Sequence, residues 1–115
     1  MSRVAPMEID PPEYDQPDGK DPAHMGQVAQ LPCVVCHHHG MIQQSRTTVH
    51  HCIHGRYSGR KVPDRQTIPL CDGHHQARWD KTKIAIHQGK ETWRLAYGID
   101  TDFIAWTLDQ IEGKT

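Results

Sequence analysis

Four cysteines and ten histidines in 115 residues are the side chains most able to do chemistry. Cys33-x2-Cys36 and Cys71-x2-His74 are two chelating pairs separated by 34 intervening residues. Each pair can grip one side of a tetrahedral ion, and together they supply the four ligands of a closed zinc site. Cys52 is an alternative to His74 as the fourth ligand. A closed site of this kind contributes to folding directly, on the order of 10 kcal/mol in small zinc modules.

If those four residues serve structure, His50, His51, His75 and His87 remain. His50 and His51 end a run rich in β-branched residues, Thr47–Ile53, and His75 follows directly on the second chelating pair. A strand pairing that brings His50 opposite His75 gives a second, open metal site with positions left for water and phosphate. Side chains alternate along a strand, so His51 points to the other face. A neutral imidazole with a pKa near ~6.5 can there deprotonate a water. A base for the water and a cation for the developing charge are the parts that phosphodiester cleavage needs. Arg56, Arg60, Lys61 and Arg65 add four cations within ten residues, opposed only by Asp64, and can hold a nucleic-acid backbone.

The elements that must position these groups follow from the pattern. Residues 1–30 carry five prolines and six acidic against two basic side chains, and read as a flexible acidic arm. Residues 31–94 hold ten basic against four acidic side chains, a cationic module that opens a single domain over 31–115. Leu31–Cys36 reads as a knuckle, Thr47–Ile53 and Gln66–Leu70 as strands, and 55–63, with two glycines and a proline, as a basic loop. A helix is expected after Cys71 with Asp72 as its N-cap. Trp93, Ala96 and Tyr97 share a face of a further helix that Gly98 closes as a left-handed cap. Ile104, Leu108 and Ile111 form one face of a last helix begun at Asp100 or Thr101. Trp79, Trp93 and Trp106 fall in these expected helices, where core packing is their use; Tyr57 is the one aromatic placed to touch a base. With only seven aromatics the core is thin, which makes the zinc staple necessary.

The segment His50-His51 … Ile68-Pro69-Leu70-Cys71-Asp72-Gly73-His74-His75, framed by Cys33-x2-Cys36, resembles the zinc-supported HNH, or ββα-metal, endonucleases. With Thr47–Lys61, Thr67–Cys71 and Ile86–Lys90 leading into Trp93, Tyr97-Gly98 and Asp100-Thr101-Asp102, it resembles more narrowly the phage Ref-type RecA-dependent nucleases, over roughly residues 31–112. The resemblance implies an α+β fold, a small zinc-supported ββα-metal domain with additional C-terminal helices behind a disordered N-terminal arm. It implies a DNA endonuclease that cuts where a RecA filament has paired strands, with one divalent ion, Mg²⁺ or Mn²⁺. By the family pattern His50 and His75 are metal ligands, His87 completes the set, and His51 is the general base. The chain contains no Asn, so the superfamily's middle Asn is missing and Gln66 or Asp64 must orient the base.

Two other readings compete. One is a catalytically inactive, zinc-supported DNA-binding accessory of recombination, suggested by the missing Asn. The other is a structural zinc protein in which the His37-His38-His39 run and the His50-His51 pair buffer metal. No apolar stretch approaches the ~18 to 20 residues that cross a bilayer, and no basic-then-apolar signal layout opens the chain. The expectation is therefore no membrane partner and a place in a reducing cytoplasm, that of a bacterial host for a phage or prophage protein.

Overall fold

Two short strands organise the long-range contacts. In the computed structural model, which describes residues 19–54 and 62–113, β1 (Thr47–His51) and β2 (Thr67–Cys71) pair antiparallel. Thr48 lies opposite Leu70 and His50 opposite Ile68. Thr47, Thr48, Val49, Thr67 and Ile68 supply the stiff β-branched side chains that suit a pleated backbone. Pro69 is tolerated because each strand of a two-stranded sheet keeps one outer edge free of ladder bonds.

Helices α1 (Pro22–Val28), α2 (Val34–His39), α3 (Asp72–His75), α4 (Lys90–Tyr97) and α5 (Ile104–Glu112) complete the described chain, with 3₁₀ turns at Ile86–Gln88 and Asp100–Phe103. α1, α2, α3 and α5 pack on β2, whose five residues are all buried. The result is a small α+β protein. Val34, Val35, Ile68, Leu70, Ile86 and Trp93 form the buried apolar cluster, each such side chain stabilising by roughly 1.5–3 kcal/mol. Trp93 is the largest of them, and its indole N–H donates to the His74 carbonyl at 3.1 Å, tying α4 to α3. Among the described residues no helix is long and apolar enough to cross a membrane.

Four expectations are corrected. The segment expected as a flexible arm to residue 30 includes α1, begun by the Asp21 side chain accepting from the His24 amide and anchored by buried His24 and Val28. Cys71, not Asp72, is the N-cap of α3; the Asp72 carboxylate instead reaches forward to the amides of Arg78 (3.0 Å), Trp79 (2.7 Å) and Asp80 (2.8 Å). That reach ends the helix after one turn, with Ala77 at φ 55°, so Trp79 leaves the core and is 74% exposed. Gly98 stops α4 at φ 103° and ψ −170°, positive in φ but extended in ψ, and so not a left-handed cap. On α5 the expected apolar face holds, with Ile104, Leu108 and Ile111 all half-buried; Thr107 is fully buried as well, and its hydroxyl donates to the Phe103 carbonyl.

Candidate metal centres and a histidine–aspartate pair

The strand end and the two helix starts that flank it bring four sulfur and nitrogen donors together. Cys33 caps α2, its sulfur accepting from the Cys36 amide, while Cys71 ends β2 and His74 lies within α3. His74 Nδ1 stands 3.5, 3.7 and 3.3 Å from the sulfurs of Cys33, Cys36 and Cys71, and the Cys36 and Cys71 sulfurs are 3.9 Å apart. A tetrahedral zinc ion with ordinary bond lengths requires S···N near ~3.6 Å and S···S near ~3.8 Å, so the donor set fits such an ion. All four residues are buried. Cys52 is buried apart from them, so the alternative fourth ligand is not in the cluster.

The thiols constrain each other's ionisation. Hydrogen bonding from Cys33, then from His74, pulls Cys71 down to about 3, whereas the same bond to Cys71 and burial push Cys33 up. Burial and the charge of Cys71 raise Cys36 to about 11. Three buried thiolates packed this closely require a cation. Lys83 is close enough for its charge to couple to both Cys36 and Cys71. Burial opposes that charge, but the Asp80 carboxylate at 3.1 Å outweighs it and holds the lysine pKa up. Asp80 also occupies the space over Gly73, where an added Cβ would fall 2.5 Å from its carboxylate, so any larger residue between Cys71 and His74 would displace the Asp80–Lys83 pair.

The second cluster comes from β1, α3 and the Ile86–Gln88 turn. His50, His75 and His87 each offer a ring nitrogen within 4.8 Å of the others'. Their ring centroids are 5.1 Å (His50–His75), 5.6 Å (His50–His87) and 4.8 Å (His75–His87) apart. His50 is fully buried and His87 exposed, so the set opens outward. Burial, followed by the neighbouring charges of His50 and His87, pushes His75 down to about 3, leaving its imidazole neutral, the form that binds a metal. His50 Nε2 meets Asp100 Oδ2 at 2.9 Å, while its Nδ1 is buried without a protein partner. His75 Nδ1 lies 2.7 Å from the Thr48 hydroxyl.

His51, one residue along β1, turns to the opposite face as the strand's period of two requires. Its Nε2 stands 2.8 Å from Asp64 Oδ1. An ionised carboxylate only accepts, so Nε2 carries the proton and Nδ1 the lone pair. The second oxygen of Asp64 accepts from the Asp21 amide at 2.7 Å, and the Asp64 amide donates to the Gly19 carbonyl at 2.8 Å. The N-terminal segment thus braces the carboxylate that holds His51. His51 is near enough for its charge to be felt at His75, which links the two faces electrostatically.

Arg65 is engaged with Asp21 at 3.3 Å and its side chain is 40% exposed. Arg56, Arg60, Lys61 and Tyr57 lie outside the described residues. His37, His38 and His39 pack their rings against Trp106 (5.3 Å), Phe103 (5.5 Å) and Tyr97 (5.4 Å), joining α2 to α4 and α5, and neither donor cluster includes them. Sequence reasoning missed Asp100, Thr48 and the Asp21 brace. The one signal for Asp100 was its place in the Asp100-Thr101-Asp102 run.

The fold and the buried donor set define a small α+β protein with a Cys₃His cluster that can hold a metal such as zinc. Residues 18–112 match the model of the family described as "Recombination enhancement, RecA-dependent nuclease", and the chain belongs to that family. No curated protein matches it. Nor does any solved structure.

Proposed function

We propose that this chain is a metal-dependent DNA endonuclease of the HNH type that cuts DNA engaged by a RecA filament in recombination. The observation that carries the reading is the end of β1, where consecutive histidines serve two faces: His50 joins a three-imidazole cluster and His51 is held by a carboxylate at 2.8 Å.

In this reading Cys33, Cys36, Cys71 and His74 hold a structural zinc. His50, His75 and His87 hold one Mg²⁺ or Mn²⁺, which when bound neutralises charge on the phosphate and the leaving oxygen. His51 acts as general base. Its Nδ1 takes a proton from water as the water oxygen attacks phosphorus and the bond to the leaving oxygen breaks. Asp64 keeps the proton of the resting imidazole on Nε2 and stabilises the imidazolium that follows, taking the part of the missing Asn. Arg56, Arg60, Lys61 and Arg65 contact the nucleic-acid backbone, Arg65 by exchanging Asp21 for phosphate. The RecA partner rests on the family; a phage or prophage origin and a site in the bacterial cytoplasm rest on the resemblance alone.

A nicking assay with Mg²⁺ or Mn²⁺, with and without RecA filament, tests the function, run beside His51→Ala. The expected result is cleavage only with filament and its loss in the variant with DNA binding retained. Strong cleavage of naked duplex at ordinary salt overturns the RecA requirement. A His51→Ala protein that retains every function supports the inactive accessory instead.

A further inference from the structure

We infer that Asp100 and Thr48 are positioning residues that fix opposite tautomers of His50 and His75, so that Nδ1 of the first ring and Nε2 of the second carry the lone pairs offered to a cation. The inference rests on the reading of the His50, His75 and His87 cluster as a metal centre.

Asp100 begins a 3₁₀ turn 50 residues beyond His50 and its side chain is fully buried. Two of its partners can only donate: the amides of Ile53 (2.7 Å to Oδ2) and His54 (3.3 Å to Oδ1). The adjoining ring is fixed too. His54 Nδ1 accepts from the Asp100 amide at 2.9 Å and its Nε2 donates to the Lys90 carbonyl at 3.0 Å, so His54 is neutral and spends its one ring proton away from Asp100. His54 Nδ1 also stands 3.2 Å from Asp100 Oδ1, but it takes its hydrogen from the Asp100 amide and gives none to the carboxylate. Oδ2 accepts from the Ile53 amide, and His50 Nε2, at 2.9 Å from the same ionised oxygen, meets it as a donor. That leaves the lone pair on His50 Nδ1, the buried nitrogen without a protein partner.

His75 is fixed by its own partners. The Thr48 hydroxyl has one proton and donates it to the Leu70 carbonyl at 2.7 Å, across the ladder from itself. Towards His75 Nδ1, also at 2.7 Å, it can then only accept, so Nδ1 carries hydrogen and Nε2 the lone pair. Thr48 and His50 lie two apart on β1 and share a face, so one strand supplies both a ligand and the group that orients another. Outer partners of this kind fix ring orientation and raise ligand basicity. The Asp100 link also pins the segment before α5 to the cluster.

Two measurements on the full, zinc-loaded chain decide the matter. Long-range ¹H–¹⁵N spectra of the wild type without added divalent ion should show His50 protonated on Nε2 and His75 on Nδ1. The reverse tautomer at either ring, or averaging at both, overturns the inference without any variant having to fold. Mn²⁺ titration followed by calorimetry should then show about 10- to 100-fold weaker binding for Asp100→Asn and for Thr48→Val, with Thr48→Ser close to wild type. Unchanged Mn²⁺ affinity in folded Asp100→Asn and Thr48→Val, while His50→Ala loses it, sinks this inference alone. Wild-type protein that binds no Mn²⁺, or His50→Ala that binds it normally, sinks the metal-centre reading as well.

Discussion

The Cys₃His cluster and the three-histidine cluster are joined by two consecutive residues, His74 and His75, yet they are built on opposite principles. The first has four buried donors, linked by contacts of 3.3–3.9 Å, and no exposed member. The second has three imidazoles, one of them exposed, and so leaves room for further ligands. Successive residues of a helix point about 100° apart, which is how neighbours in α3 reach different clusters. Charge separates them further. Three thiolates around a divalent ion would leave one net negative charge, and Lys83 lies close enough to couple to that set; three neutral imidazoles would leave an ion's two positive charges, with the Asp100 carboxylate behind His50. A closed, charge-compensated site suits stability, and an open cationic one suits anion chemistry.

The contrast is broken most directly by removing the metal of the closed site. Chelation at neutral pH, or Cys36→Ser, is expected to remove stabilisation on the order of 10 kcal/mol and with it the cooperative unfolding transition seen by circular dichroism. Retention of a cooperative transition in the metal-free chain would show that the core alone suffices. The open site should behave in the contrary way, with His50→Ala keeping the fold and the zinc while losing Mn²⁺.

Next in size is the proposed base. His51→Ala should lower the cleavage rate by about 10²- to 10⁴-fold, with zinc content and Mn²⁺ affinity unchanged, since its ring belongs to neither cluster. Single-turnover rates beside Mn²⁺ titration would separate a base from a ligand; loss of both together would move His51 into the metal set. Asp64→Ala acts one step further out and is expected to cost roughly 10- to 100-fold in kcat with KM near wild type. A KM effect alone would make Asp64 a binding residue rather than the support of His51.

How much of this was visible in the chain depends on the range of the contact. The two chelating pairs were legible because three-residue spacing is a local geometric fact, and so were the opposite faces of His50 and His51, because a strand has period two. The strands themselves were placed to within a few residues by their β-branched content. Asp100, Asp21 and Thr48 were not legible as partners. Their contacts join positions 50, 43 and 27 apart, which no periodicity encodes. Trp79 was misread for a related reason: a helix was extended past Cys71, but the Asp72 carboxylate captures the amides of residues 78–80 and ends it after one turn. The acidic composition of residues 1–30 concealed α1, because its anchoring depends on two buried side chains, His24 and Val28, and on the pairing of Asp21 with Asp64 and Arg65.

The smallest expected effect concerns the lysine that faces the closed cluster. The Thr82 hydroxyl and amide, and then Lys83, hold the Asp80 carboxyl down to about 2. A carboxylate depressed in the folded state contributes its full stabilisation above its unfolded pKa of ~3.9 and loses it as pH falls towards 2. Across pH 5 to 8, therefore, Asp80→Asn should cost a constant amount, about 1 kcal/mol, because Asn can keep the hydrogen-bond partners of this half-buried pair and only the charge is removed. Urea unfolding at several pH values in that range measures it. If Lys83 compensates the thiolate set, the variant should also release zinc to a competing chelator somewhat faster while Mn²⁺ affinity at the open site stays the same. A penalty that instead grew with pH would mean that Lys83, freed from Asp80, had begun to lose its proton beside Cys36 and Cys71, and the lysine rather than the carboxylate would then be the group that fixes the charge of the closed site.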